Sequence, residues 1–362
     1  MHEHLHALGI HAYYAGEHDC GRRACERLLN LPGLPPEIDK QGRANRTWYT
    51  QSLSEVIDGI PTHDHMWFGS VVQSRIACEP AHSGWSCFNP TIHADGDRLL
   101  AIVRSSNYRI VDGRYVMPEE DAGVIKTENI LVEIGEPGQR TLVPPAYETN
   151  GYPVSGLEDC RLRRTPAGWS VSATVRDAEG WDGRCRIGVA KLDIHDGRLH
   201  GLRVLDWEGL ADHEKNWMPF GDGWLYACSH GGHTVTIDAD PEMPGVYEVR
   251  QRGPAPPLAA GFRGGGQVVP FRDGWLGIVH EVAHLDTGRR AYEHRFVWWD
   301  ETLTLRKWSP LFFFFEKQAI EFAAGLATID DTVFVSFGVN DAEAWLCRLK
   351  GGGVWDLLAP VS

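Results

Sequence analysis

One pattern recurs five times along the chain, with drift, and it constrains the fold more than any other feature. A short polar cluster opens a candidate strand. A Gly/Asp turn with an aromatic or apolar run follows within about fifteen residues, the reach of a hairpin. The copies begin at Phe88-Asn89-Pro90, Gly156-Leu157-Glu158-Asp159-Cys160-Arg161, Lys215-Asn216-Trp217, Arg263-Gly264-Gly265-Gly266-Gln267 and Ile320-Glu321-Phe322. Anchors at Asn89, Asp159, Asn216, Gln267 and Glu321 lie 70, 57, 51 and 54 residues apart. That is the length of a four-stranded unit, so the sequence predicts an all-β fold, a five-bladed β-propeller over residues 65–358. The innermost strand of each blade lines the central channel. A charged or amide residue at its start in every copy places five polar groups around one pocket.

Length and composition fit this reading. A chain of 362 residues buries a large core, and its 40 Gly and 14 Trp match turns and packed aromatics. A net charge of -14 argues against nucleic acid or an anionic membrane as partner, yet leaves room for a local anion pocket. No apolar run is long enough to span a bilayer, and Leu311 to Phe315, among the longest, has the length of a buried strand. The N-terminus lacks a Lys/Arg-then-apolar export signal, so a cytoplasmic location is expected.

The eight cysteines form no C-x-x-C pair, and free buried thiols are expected. His2-Glu3-His4 and His63-Asp64-His65 invite a metal reading, but neither has H-E-x-x-H spacing or a companion cysteine set, so no metal is expected. No organic cofactor is indicated either.

Residues 1–55 read as a small α-helical extension. Leu5, Leu8, Ala12 and Tyr13 share one helical face, and Gly16 closes that stretch. Asp19 is placed as the cap of a second helix carrying Ala24, Leu28 and Leu29; a third is predicted from Glu37 to about Ser54, with Trp48, Tyr49 and Leu53 inward. This pattern resembles one tetratricopeptide-like unit, too short for a solenoid alone. It either packs on the propeller or is the remnant of a longer helical array, and a chain that begins inside a helix is compatible with an excised fragment. The helices or an edge strand are where a homo-oligomer would form.

In a strand, Glu158 and Asp159 point to opposite faces and Arg161 lies on the side of Asp159. A carboxylic acid in a partly enclosed pocket is a natural proton donor to a leaving oxygen. The alternative is an Asp–Arg pair that pins blades together. Lys215, Arg263 and His280 are candidates for the same cavity, and Arg176 follows Asp159 by 17 residues, about one hairpin later. Cations converging on a small site form an anion pocket.

Five ordered motifs, roughly over residues 65–350, resemble glycoside hydrolase family 130, five-bladed propellers that cleave β-mannosidic linkages, mostly by phosphorolysis. They are Asn89-Pro90 with Arg104, Glu158-Asp159-Cys160-Arg161, Lys215-Asn216-Trp217, Gly274-Trp275-Leu276 with Val279-His280-Glu281, and Ser336-Phe337-Gly338-Val339-Asn340-Asp341. The resemblance implies a glycoside phosphorylase making a single inverting displacement, a hexosyl transfer to phosphate. Asp159 would be the general acid, acting through a hydroxyl of the mannose. Inorganic phosphate, as co-substrate, would be held by Arg176, Lys215 and His280. Asn89, Arg104, Glu158, Arg161, Asn216 and Asp341 would grip the mannoside or oligosaccharide.

Cys160, Phe337 and Glu281 replace the family's Pro, Tyr and Gly, and the Arg263-to-Gln267 stretch is unlike the usual fourth-blade segment. Glu281 beside His280 would supply a base in a hydrolytic variant, or repel phosphate. Inverting hydrolysis, mannosyl transfer and a non-catalytic propeller that binds glycan or protein therefore remain alternatives.

Overall fold

The computed structural model describes residues 1–58, 71–111, 113–121, 123–180, 182–206, 211–239, 246–284, 290–317 and 319–361. The His63-Asp64-His65 cluster and the expected start of the propeller at residue 65 lie outside them. The fold is a β-propeller. Among the described residues the strands form five sheets of four or more strands and one short hairpin, Arg109–Val111 with Arg114–Val116.

The sheets follow one another along the chain. The first runs from Ser86–Asp95 through Arg98–Ser106 and Ile125–Glu133 to Gln139–Thr141. The second comprises Glu158–Thr165, Gly168–Val175, Arg186–Leu192 and Leu199–Val204; the third, Met218–Phe220, Gly223–His230, His233–Ala239 and Tyr247–Pro254. All these neighbours are antiparallel, as expected when Gly/Asp turns join successive strands. The fourth sheet is built on Gly274–His284 and Arg290–Asp300 and recruits Gln51–Ser52 and Ala359–Pro360 from near the chain ends. The last sheet, Glu321–Ile329, Thr332–Val339 and Glu343–Lys350, is completed by Val71–Arg75, which pairs with its outermost strand.

Three of the innermost strands are interrupted near the axis. Register shifts fall between Phe88 and Thr91, between Glu158 and Arg161, and between Ala323 and Gly325. Asn89, Asp159 and Asn216 have φ of 47°, 50° and 63°. Asn and Asp tolerate this left-handed region best among residues with a Cβ, which explains why these types occupy the positions. The resulting bulges re-aim side chains that strict alternation would turn away.

Arg161 sits behind them, 4% exposed. Its Nη1 donates to the carbonyl of Gly265 and, at 3.0 Å, to that of Ala324, so one guanidinium ties three inner strands together. Burial pushes its pKa down to about 10, opposed by Asp159.

The N-terminal segment folds as α1 (His2–Tyr14), α2 (His18–Leu29) and α3 (Pro36–Arg46), with α4 (Leu53–Asp58) after a 3-10 turn. The expected third helix ends eight residues early, at Arg46 rather than Ser54, because Gln51–Ser52 pairs with Phe312–Phe313. Glu17, not Asp19, takes the cap position of α2. Pro36 opens α3, where its missing N–H costs nothing. Tyr49 clamps the helices: its hydroxyl donates to the Gly9 carbonyl at 2.6 Å, and a Cβ on Gly21 would lie 2.1 Å from that oxygen.

Two interactions seat this segment. Leu53, Val56 and Ile57 join the apolar cluster of Leu276, Ile278, Phe296 and Phe312. Beside it lies a buried ion network. Glu281 receives Arg46 at 2.7 Å and Arg43 at 3.1 Å; Arg295 approaches Glu26 and Glu281 at 3.5 Å each; Thr50 donates to Glu293 at 2.6 Å. Burial alone would raise the Glu281 pKa, but Arg46, Arg295 and Arg43 outweigh it and hold it low.

Breaking one partner of such a network strands a buried charge, at about 3–5 kcal/mol. Arg46→Ala is therefore expected to lower stability by that amount, read from the urea midpoint at unchanged m. A loss below about 1 kcal/mol, the level of an exposed pair, would show that the network does not seat the helices.

Candidate active site

The bulged strand starts surround a cavity of about 260 Å³ on the propeller axis. Asn89, Arg104, Glu158, Asp159, Arg176, Lys215, Asn216, His280 and Asp341 all line it, as does Arg263. Arg161 does not: the bulge at Asp159–Cys160 breaks the alternation expected between Asp159 and Arg161. For the same reason Glu158 and Asp159, expected on opposite faces, both reach the cavity.

Of the five repeated anchors only Asn89, Asp159 and Asn216 line the cavity. Gln267 is buried, donating to the Ile92 carbonyl and accepting from the Leu326 amide at 3.5 Å. Glu321 accepts the amides of Phe314, Phe315 and Glu316 at 2.5, 2.7 and 2.9 Å, stapling the preceding loop. Near those two anchors, the carbonyls of Gly265 and Ala324 accept from Arg161 instead.

Asp159 is held on two sides. The Asn89 amide donates to its Oδ1 at 3.2 Å and Arg104 approaches the same oxygen at 3.4 Å. Arg104 also reaches Glu158 at 3.2 Å and Thr127 at 3.3 Å, with its guanidinium over the rings of Phe88 and Tyr108. Burial works against that charge, yet Tyr108, Glu158, Asp159 and Asp341 raise its pKa overall. Gly338 permits the close approach behind Asn89, since a Cβ there would lie 2.1 Å from the Asn89 Oδ1. Opposite, Asp341 accepts the Tyr108 hydroxyl at 2.8 Å; burial raises its pKa, with Arg104 opposing.

Two basic side chains meet the cavity differently. Arg176 is oriented by the Gly183 carbonyl at 3.1 Å and the Tyr152 hydroxyl at 2.9 Å. Lys215 is exposed and has no ion pair among the described residues. His280 departs from the cationic role expected of it. Burial, then His294, Arg263, Arg161 and Lys215, push its pKa well below 6.5, so it faces the cavity as a neutral imidazole that can donate or accept one hydrogen bond. Its neighbour Glu281 points through the sheet to the helical segment, so it neither serves as a base in this cavity nor stands against an anion in it.

Sequence reasoning missed Tyr108, Tyr115, Tyr292, Phe322 and Arg290, which also line the cavity. Tyr115 comes from the hairpin of Arg109–Val111 with Arg114–Val116, which lies outside the repeated motif. Among the described residues no group of three or more His, Cys, Asp or Glu is placed to hold a metal. No helix of the described residues is long and apolar enough to cross a membrane.

No protein-family model and no curated protein matches the sequence. Solved structures do. One, described as showing that the GH130 family of mannoside phosphorylases contains glycoside hydrolases that target β-1,2-mannosidic linkages in Candida mannan, is similar with a TM-score of 0.50 and 10% identity. The similarity covers 80% of this chain and 96% of that one. A β-1,2-mannobiose phosphorylase from Listeria innocua, in complex with β-1,2-mannobiose, has 13% identity and a TM-score of 0.48 over 79% and 99% of the two chains. A glycosyl hydrolase from Bacteroides ovatus has 10% identity and a TM-score of 0.47 over 73% and 84%. At such identities the first likeness shows the fold alone, and it agrees with the propeller described above.

The neutral histidines set a pH dependence. His280 and His294 both have their pKa lowered, by burial first, His294 from 6.5 to about 3. The unfolded chain takes up these protons first, so their contribution to stability is full above pH 6.5 and is lost as pH falls, at about 1.4 kcal/mol per pH unit for each ring down to its own folded pKa, about 3 for His294. His280→Gln is expected to make this acid limb shallower by one proton, measured as denaturant midpoints against pH. An unchanged limb would show that the native ring is already protonated.

Proposed function

We propose that the chain is a carbohydrate-active enzyme that works on β-mannosidic linkages by inverting phosphorolysis, in the axial cavity of a five-bladed propeller. The observation that carries this reading is the placement of Asp159. Its carboxyl stands in the cavity between Asn89 and Arg104, with Arg176 and Lys215 lining the same space. The fold shared with the GH130 structure supports the choice of chemistry.

In this reading a phosphate oxygen attacks the anomeric carbon as the glycosidic C–O bond breaks with inversion. A proton passes from the Asp159 carboxyl, by way of a sugar hydroxyl, to the leaving oxygen. Arg176 and Lys215 hold the phosphate and His280 adds a neutral hydrogen bond. Asn89, Arg104, Glu158, Asn216 and Asp341 orient the sugar. Phosphate as nucleophile removes the need for the second carboxylate that an inverting hydrolase uses to activate water.

Incubation with mannose 1-phosphate and a panel of sugars tests this directly. Release of phosphate that depends on an acceptor is the expected result. Asp159→Asn should keep the fold and lose at least about 10²-fold in rate. Sugar release from mannosides without phosphate would make the enzyme a hydrolase. Equal rates in parent and variant would overturn the role given to Asp159.

A further inference from the structure

The charges in the cavity do not balance against phosphate alone. Arg104 is engaged by Glu158 and Asp159, and its charge also bears on Asp341. Five cations line the cavity, Arg104, Arg176, Lys215, Arg263 and Arg290, against the carboxyls of Glu158, Asp159 and Asp341. While Asp159 carries the proton it delivers, the two other carboxylates and a doubly charged phosphate leave one positive charge unmet. The surplus is not background, because the chain as a whole carries -14.

Two of these cations have a definite place. Arg263 starts the inner strand Arg263–Gly264, in register with His280, and Arg290 opens the strand Arg290–Asp300 that carries Tyr292. Both are exposed, and neither has an ion pair with a carboxylate among the described residues. Burial raises the pKa of Tyr115 and of Tyr292, Asp341 raises both further and the Arg290 charge lowers both, so Arg290 and Asp341 lie near two rings from different sheets. Arg263 acts on Tyr292 and on His280 in turn. Tyr115, Tyr292, Arg263 and Arg290 line one space, which offers apolar ring surface to a sugar and guanidinium N–H donors to a negative group.

We propose that the sugar partner bound against Tyr115 and Tyr292 carries an acidic group, a carboxylate or a phosphate ester, held by Arg263 and Arg290. This rests on the carbohydrate reading above and narrows it: the leaving or accepting sugar is anionic, whereas the transferred glycosyl unit at Asp159 is neutral. Neutral sugars offer these two guanidinium groups hydroxyl acceptors but no opposite charge.

The test is calorimetric binding to the Asp159→Asn protein in phosphate-saturated buffer, which fills the phosphate subsite. The probes are mannose and glucose, the matching uronic acids and the matching 6-phosphates. An acidic sugar should bind at least about tenfold more tightly than its neutral counterpart. The double substitution Arg263→Gln with Arg290→Gln should erase the difference and leave neutral-sugar affinity unchanged. Preference for the uronic acid or for the 6-phosphate supports the inference either way and says which source supplies the charge. Equal binding of neutral and acidic sugars overturns it while leaving the proposed function standing. A preference that survives the double substitution but is lost in Arg176→Gln places the acid in the phosphate subsite, and overturns it too. If no sugar of either kind binds, the proposed function falls and this inference falls with it. Both arginines are exposed, so the fold does not depend on them.

Discussion

A single buried guanidinium holds the middle of this molecule together. Propeller sheets touch their neighbours along their sides but converge at the axis, where narrow inner strands leave carbonyls without ladder partners. Arg161 answers that deficit by donating to Gly265 and Ala324 from a strand belonging to neither. Left unmet, each buried carbonyl would cost on the order of 1–3 kcal/mol. The cavity exists on top of this arrangement: the bulge that sends Arg161 inward is the one that turns Asp159 outward. The charge at the base and the carboxyl at the surface are two results of one irregularity.

A similar division operates on the strand Gly274–His284. His280 faces the axial cavity as a neutral ring, while Glu281, one peptide bond away, is ionised among arginines of the helical segment. The sheet thereby keeps a concentrated charge network out of the site while using the same strand for both. The helical segment is accordingly an integral layer: its apolar residues share a cluster with the fourth sheet, and its ions complete that sheet's outer face.

Much of this was legible in the sequence, for identifiable reasons. Asn89, Asp159 and Asn216 could be found because Asn and Asp are favoured where φ turns positive, so the bulges left a mark at regular spacing. Gln267 and Glu321 share the spacing but not the backbone, and their side chains went to loop and strand amides instead. Arg161 and Glu281 were misplaced because alternation was extended across a bulge and a role was assigned by adjacency. Tyr115, Tyr292 and Arg290 left no pattern, since they arrive from a hairpin and a strand start lying outside the repeating motif. The end of α3 was hidden because a two-residue parallel pairing with Phe312–Phe313, more than 250 residues away, overrides local helical preference.

The sheet that joins the two ends of the chain has a kinetic meaning. Val71 pairs with Leu349 and Arg75 with Trp345, so the ring is sealed by partners 278 and 270 positions apart. During synthesis the early strand emerges first and must wait, edge exposed, until the strand Glu343–Lys350 has left the ribosome. Sealing is therefore a late event, and until it happens the axial cavity has no complete wall.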